Sequence, residues 1–204
     1  MTSLFSVKNK VIIVTGSSGD IGNAISLGFL HQFSIVYGID IKSTKIKSNN
    51  FHHLKCDITK SKRFMSICND IFKKHGRIDV LVNCAGISLP NDKPSTKYSL
   101  VNWSKTLEIN LTASFNCSQS VIPYMVKNNN GSIINITSIN AELGFPRNPS
   151  YVASKGGLKM LSKSLAKDWG PYGIRVNNVG PGYIKTDMTK KSFLDKKTKR
   201  QREM

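Results

Sequence analysis

The apolar stretch Val11-Ile12-Ile13-Val14 runs straight into Thr15-Gly16-Ser17-Ser18-Gly19-Asp20-Ile21-Gly22. No other segment limits the possible folds so tightly. An apolar run that stops at glycines and resumes as an amphipathic stretch predicts a buried strand, a tight turn and a helix. Gly16 supplies the turn, Gly19 lets the backbone approach a ligand with no Cβ in the way, and Gly22 lets the new helix lie close on the sheet. The helix start adds unpaired N–H groups and the positive end of its dipole, which together suit a pyrophosphate. The junction therefore predicts a dinucleotide site that includes Gly16, Ser18, Asp20, Ile21 and Gly22.

The rest of the chain alternates short apolar runs with amphipathic ones. Strands are expected near 10–15, 34–39, 51–56, 78–83, 132–137 and 174–179, and helices near 20–31, 100–127 and 150–168. A further helix is marked by the stripe Phe64, Ile67, Cys68, Ile71 and Phe72, spaced by threes and fours. Alternation of this kind predicts an α/β fold with a doubly wound parallel sheet of Rossmann type. Right-handed crossovers place its strands in the order 3-2-1-4-5-6. The expected organisation is one oxidoreductase-type domain over residues 1–189 followed by a basic tail over 190–204.

Composition narrows the setting. The four cysteines, Cys56, Cys68, Cys84 and Cys117, lack metal-ligand spacing and read as buried thiols in a reducing compartment, so no metal site is expected. Residues 1–10 lack the apolar core of a signal peptide, and no apolar run is long enough to span a bilayer, which predicts a cytoplasmic protein with no membrane partner. The formal net charge of +18 raises nucleic acid as a partner. The lysines, however, are scattered along helix faces without aromatic interleaving, and the one dense run is at the end of the chain. No nucleic-acid partner is expected.

Two further sets of residues carry chemistry. Asp40 ends the second strand, 18 residues beyond Gly22, where a carboxylate accepts both hydroxyls of an adenosine ribose and repels a 2′-phosphate. This favours NAD over NADP. Tyr151 and Lys155 are four apart at a helix start and so share a face, while Ser138 lies just past the fifth strand at the ligand-binding edge. A phenol is too weakly acidic to act as a base at neutral pH unless a neighbouring cation favours phenolate, and Lys155 is placed to do so.

These residues, taken together, resemble the short-chain dehydrogenase/reductase family, in its NAD(P)-dependent subgroup of roughly 250 residues. The likeness is carried by Thr15–Gly22, by Asn83-Cys84-Ala85-Gly86 (Cys84 standing where the family has a second Asn), by Asn110, Ser138 and the Tyr151/Lys155 pair, and by Pro181-Gly182 with Thr186. The resemblance implies hydride transfer between a nicotinamide cofactor and a secondary alcohol or ketone. Tyr151 would be the acid/base and Ser138 the hydrogen-bond partner of the substrate oxygen. Lys155 would hold the nicotinamide ribose, and Asn110 a relay water behind it. It also places Asp57 and Ile58 at the adenine, Asn83, Ala85 and Gly86 along the adenosine side, and Pro181, Gly182, Ile184 and Thr186 at the nicotinamide. The phrasing around Tyr151–Gly157 and Gly180–Thr189 resembles members acting on sugar acids, polyols or 3-oxoacyl thioesters.

One departure from the family pattern concerns the end of the chain. Where members continue into a substrate lid, a further helix and a seventh strand, this sequence runs into charge. The expectation is a sheet missing its seventh strand, association no further than a dimer, and a second possible outcome: a catalytically impaired dinucleotide-binding protein.

Overall fold

A computed structural model describes residues 5–91 and 94–190. Most of the anticipated basic tail, from 191 on, therefore lies outside the described residues. The strands are β1 (Val11–Thr15), β2 (Ile35–Asp40), β3 (Phe51–Lys55), β4 (Val80–Asn83), β5 (Gly131–Ile136) and β6 (Ile174–Val179). All pair in parallel, in the order β3-β2-β1-β4-β5-β6. This is the order that alternation and right-handed crossovers predict. Among the described residues β6 is an edge strand.

The helices are α1 (Asp20–His31), α2 (Ser61–His75), α3 (Leu100–Leu107), α4 (Ala113–Lys127) and α5 (Pro149–Trp169). Their placement follows from the two-residue period of the strands. Ile12, Val14, Val36, Val80, Val82 and Ile136 point to one face, where Ile21, Ile25 and Phe29 of α1 cover them. Val11, Ile13, Leu81, Ile133 and Ile174 point to the other, against Phe64 and Ile71 of α2, Val121 and Met125 of α4, and Leu165 of α5. Continuous burial of β1 and β4 is what a strand covered on both sides requires.

One anticipated element differs. The single helix expected over 100–127 is broken at Glu108–Thr112 into a π-helical turn, where the Ala113 N–H bonds the Glu108 carbonyl. The reason is Asn110, which is fully buried and bonded to the connection after β4 and to α5. Its Oδ1 accepts from the Ile87 N–H at 2.8 Å, and its Nδ2 donates to the Ile87 carbonyl at 2.9 Å and to Ser154 Oγ at 3.0 Å. Single π turns of this kind are frequent at functional sites.

At the opposite end of the sheet Asp79 is 8% exposed and receives Lys10, Arg77 and the Val11 N–H. Its pKa is set by opposing effects. Burial raises it, and the Arg77 guanidinium, the Val11 N–H and Lys10 together hold it below the ordinary carboxylate value. Among the described residues no helix is long and apolar enough to cross a membrane, and no group of three or more His, Cys, Asp or Glu is disposed to hold a metal ion.

Candidate functional site

The strand order reverses between β1 and β4, so their connections leave the sheet in opposite directions and open a crevice at the carboxyl edge. The β1–α1 turn fits a dinucleotide phosphate by a steric criterion. Gly16 has φ +68°, and a Cβ there would stand 2.7 Å from Ala85 on the neighbouring β4 connection. A Cβ on Gly22 would collide with the Gly16 carbonyl. Gly19, by contrast, is exposed and has ordinary clearance, so it caps α1 with open space before it. Two glycines thus hold the turn against the sheet and helix, and a third leaves the approach open.

The remaining parts of the crevice are tied to this turn. Asp40 Oδ2 accepts from the Ser18 N–H at 3.0 Å and Oδ1 from the Lys42 N–H at 2.9 Å, so the carboxylate is fixed at the lip of the turn. Thr15 Oγ1 accepts from the N–H groups of Cys84 (3.1 Å) and Ala85 (3.2 Å), drawing the β4 connection against β1. Asp20, at the first turn of α1, accepts the Asp187 N–H at 2.8 Å and so reaches the segment carrying Pro181, Gly182, Ile184 and Thr186. Thr186 closes a turn on itself through Thr189. Ile21 packs against the core beneath.

Three residues anticipated on the adenosine side, Asn83, Ile58 and Asp57, differ in their surroundings. The Asn83 carboxamide turns into the protein, its Nδ2 shared among the Ser114 carbonyl, Ser118 Oγ and Asn135 Oδ1. It braces β4 against β5 and α4. Ile58 is buried in the α2-side core. Asp57 is exposed beside an open depression of about 600 Å³, and its Oδ1 accepts both the N–H and the hydroxyl of Thr59.

The acid/base candidates converge from α5 and β5. Ser138 starts a short turn after β5, accepts from the Asn140 N–H at 3.1 Å, and opens onto a cavity of about 300 Å³ with Thr137, Gly180 and Gly182. Tyr151 lies near enough to Ser138 for that side chain to lower its phenol pKa. Lys155 is 5% exposed, donates to the Ile136 carbonyl at 2.7 Å, and sits 5.7 Å from the centre of the Tyr151 ring. Gly86 lies between this lysine and Asn110. A Cβ on it would approach Asn110 Oδ1 at 3.2 Å and Lys155 Nζ at 3.5 Å. Asn110 and Lys155 thus both border Gly86, and the Asn110 side chain is engaged by Ile87 and Ser154.

The electrostatics depart from the simple expectation that Lys155 depresses the phenol. Burial pushes the Tyr151 phenol up, partly offset by the Ser138 hydroxyl, with Cys84 adding to the rise. Burial also draws the Lys155 ammonium down to about 8, and Cys84 opposes it weakly. Both groups lie in the same desolvated pocket, so each charged form is disfavoured. Perturbation of two neighbouring titratable groups in a cleft is a mark of functional sites.

Sequence reasoning passed over three residues that shape this site, Tyr98, Asn148 and Ser150, which are joined to it through tertiary contacts alone.

A parallel, doubly wound sheet with a glycine-rich phosphate turn and a Ser–Tyr–Lys cluster at its carboxyl edge defines a dinucleotide-dependent oxidoreductase architecture. Comparison with known proteins gives the family. A family model described as short chain dehydrogenase matches residues 10–197, and this chain belongs to that family. It is 34% identical over 194 residues to the 3-oxoacyl-[acyl-carrier-protein] reductase FabG of Thermotoga maritima, covering 91% of this chain and 78% of that one. It is 35% identical over 199 residues to 5-keto-D-gluconate 5-reductase of Escherichia coli, covering 93% and 78%. A crystal structure of a gluconate 5-dehydrogenase from Burkholderia cenocepacia, in complex with NADP and tartrate, superposes with a TM-score of 0.88 at 28% identity, covering 95% of this chain and 79% of that one.

Proposed function

We propose that this protein interconverts a secondary alcohol and a ketone, with Tyr151 as the acid/base. The observation that carries the reading is the buried Lys155 ammonium beside the Tyr151 ring, with Ser138 nearby, at the edge where the glycine turn also opens. A nicotinamide dinucleotide, when bound, accepts the hydride from the alcohol carbon or returns it to the ketone carbon. In oxidation, Tyr151 takes the hydroxyl proton while Ser138 hydrogen-bonds the same oxygen. In reduction, Tyr151 gives that proton back. Lys155 holds the nicotinamide ribose and steadies the charge on the phenol oxygen. Asn110 carries out its part from behind Lys155, by fixing Ile87 and Ser154.

The residues suited to the dinucleotide follow the crevice. The first-turn N–H groups of Asp20, Ile21 and Gly22 would take the pyrophosphate, with Gly16, Ser18 and Gly19 shaping the turn before them. Asp40 takes the adenosine ribose, and Asp57, Ile58, Ala85 and Gly86 line the adenine and adenosine side. Pro181, Gly182, Ile184 and Thr186 border the nicotinamide. Asp40 favours NAD, because its carboxylate stands where a 2′-phosphate would meet like charge. Substrates of the sugar-acid or 3-oxoacyl type fit the relatives' names, and a polyol is the further candidate.

The test is a fluorescence titration with NADH and NADPH, followed by turnover on D-gluconate, a polyol panel and a 3-oxoacyl thioester. One bidentate carboxylate–ribose contact contributes roughly 1.5–3 kcal/mol, so NADH is expected to bind about tenfold to a hundredfold more tightly. Asp40→Ala should narrow that gap. Equal affinity of the unaltered protein for both cofactors removes the NAD assignment. Binding without turnover on any of these substrates, at any pH, leaves a dinucleotide-binding protein instead.

A further inference from the structure

We infer that Tyr98 is a positioning residue for Tyr151, acting through Ser150. The inference rests on the proposed role of Tyr151 and extends it to the device that registers the first turn of α5. Tyr98 Oη lies 2.6 Å from the Leu89 carbonyl and 2.7 Å from Ser150 Oγ. A phenol has one proton, and the carbonyl can only accept, so Tyr98 donates to Leu89 and the Ser150 hydroxyl donates to Tyr98. The three groups form one directed chain from the β4 connection to α5.

This tie falls where the helix lacks its ordinary one. The N-cap of α5 is Asn148, whose side chain makes no capping hydrogen bond. Its Nδ2 reaches instead to Ser88 Oγ at 2.7 Å, a second link to the same connection. The preceding residue, Arg147, has φ +62°, a left-handed backbone that a side chain disfavours, and its carbonyl is held by the Asn91 N–H at 2.9 Å. The start of α5 is therefore shaped by residues 88–91 and Tyr98 rather than by local capping. Ser150 is fully buried and directly precedes Tyr151. Whatever fixes Ser150 fixes the backbone from which the Tyr151 phenol extends.

The opposite end of the same connection is clamped by Asn110, through both the N–H and the carbonyl of Ile87. Residues 87–91 thus link the buried Asn110 to the helix turn that carries Tyr151. Reacting groups lose efficiency steeply with small displacements, so loss of the Tyr98 hydroxyl should lower turnover while leaving the dinucleotide crevice intact.

The experiment compares Tyr98→Phe, Ser150→Ala, their double variant and Tyr151→Phe in the full chain. The first readout needs no substrate: hydrogen exchange of peptides covering 86–91 and 149–155. Tyr98→Phe and Ser150→Ala should each raise exchange in both peptides and leave 11–22 unchanged, and the double variant should add little to either. The second readout is kcat per NADH-binding site. It should fall about 10- to 100-fold in Tyr98→Phe, with NADH affinity within about twofold and an altered pH profile, whereas Ser150→Thr should retain activity.

A variant that is merely less well folded would lose NADH-binding sites and turnover in step, with kcat per site unchanged. That result overturns the inference, as does unchanged exchange at 149–155. If Tyr151→Phe keeps full turnover, the acid/base assignment itself fails. If Tyr151→Phe is inactive while Tyr98→Phe matches the parent in kcat per site and pH profile, only the positioning role fails.

Discussion

Lys155 is buried and the neighbouring Tyr151 half-buried, and desolvation shifts each toward its neutral form. For Tyr151 the shift is upward, so the phenol is a proton donor at neutral pH until a positive charge lies beside it. Tyr151→Phe removes the proton-transfer group and leaves the ring. Turnover should fall by about 10²–10⁴-fold, the usual range for general acid–base catalysis, with NADH affinity nearly unchanged. Steady-state kinetics alongside a binding titration would show it. Lys155 titrates near 8, so its ammonium is present below that value and lost above it. NADH affinity should therefore weaken as pH rises from 7 to 9, and the trend should be absent in Lys155→Met, which binds more weakly throughout.

At the scale of elements, the approach of α1 to β1 and β4 sets the phosphate turn. No side chain fits at Gly22, because the Gly16 carbonyl occupies the position of its Cβ, and Gly16 is itself pressed on Ala85. Gly22→Ala must push α1 away from the sheet or rebuild the turn. Either change moves the N–H groups that face the pyrophosphate. We expect a loss of NADH affinity of at least about tenfold, together with a lower unfolding temperature, since backbone cannot yield as a flexible side chain does. Gly19→Ala, where clearance is ordinary, should be far milder. Calorimetry and a cofactor titration on the two variants separate a packing effect from a general intolerance of alanine in the turn. The π turn at Asn110 belongs to the same scale. It breaks a helix that periodicity alone would continue, because one buried carboxamide is bonded to the β4 connection.

For the whole molecule, the carboxyl edge of the sheet carries the chemistry and the opposite edge carries Asp79. This buried carboxylate joins the start of β1 to residues 77–80 through Val11, Arg77 and Lys10. Its folded-state pKa lies below the unfolded value, so the stability it contributes is fully present above about pH 4 and is lost as pH falls through the folded value. Asp79→Asn leaves Arg77 without its partner in a half-buried setting. We expect a loss of about 2–4 kcal/mol, which for a chain of this size lowers the unfolding midpoint by roughly 5–12 °C. The variant should also show a flatter acid limb below pH 4. Thermal melts from pH 2 to 7 check both, and an unchanged midpoint at pH 7 would show that the ion pairs contribute nothing.

Local pattern and chain order sufficed for the layout. Strand period, the glycine turn and right-handed crossovers determine the order of the sheet. The spacings of Asp40, Ser138, Tyr151 and Lys155 place them at its carboxyl edge, because each depends only on residues near it in sequence. What remained hidden depends on side chains that meet across the fold. Asn83 and Asn135 are 52 residues apart in the chain, yet direct neighbours in register, and their pairing turns Asn83 inward, away from the crevice. Tyr98 and Ser150, also 52 apart, meet because Asn110 and Leu89 bring the β4 connection over α5. The pKa directions were hidden for the same reason. A motif shows that a lysine and a tyrosine share a helix face, but only packing decides how much water reaches them, and desolvation outweighs their mutual influence here. Sequence thus determined which groups reach the site, and tertiary structure decided how they are held and charged there.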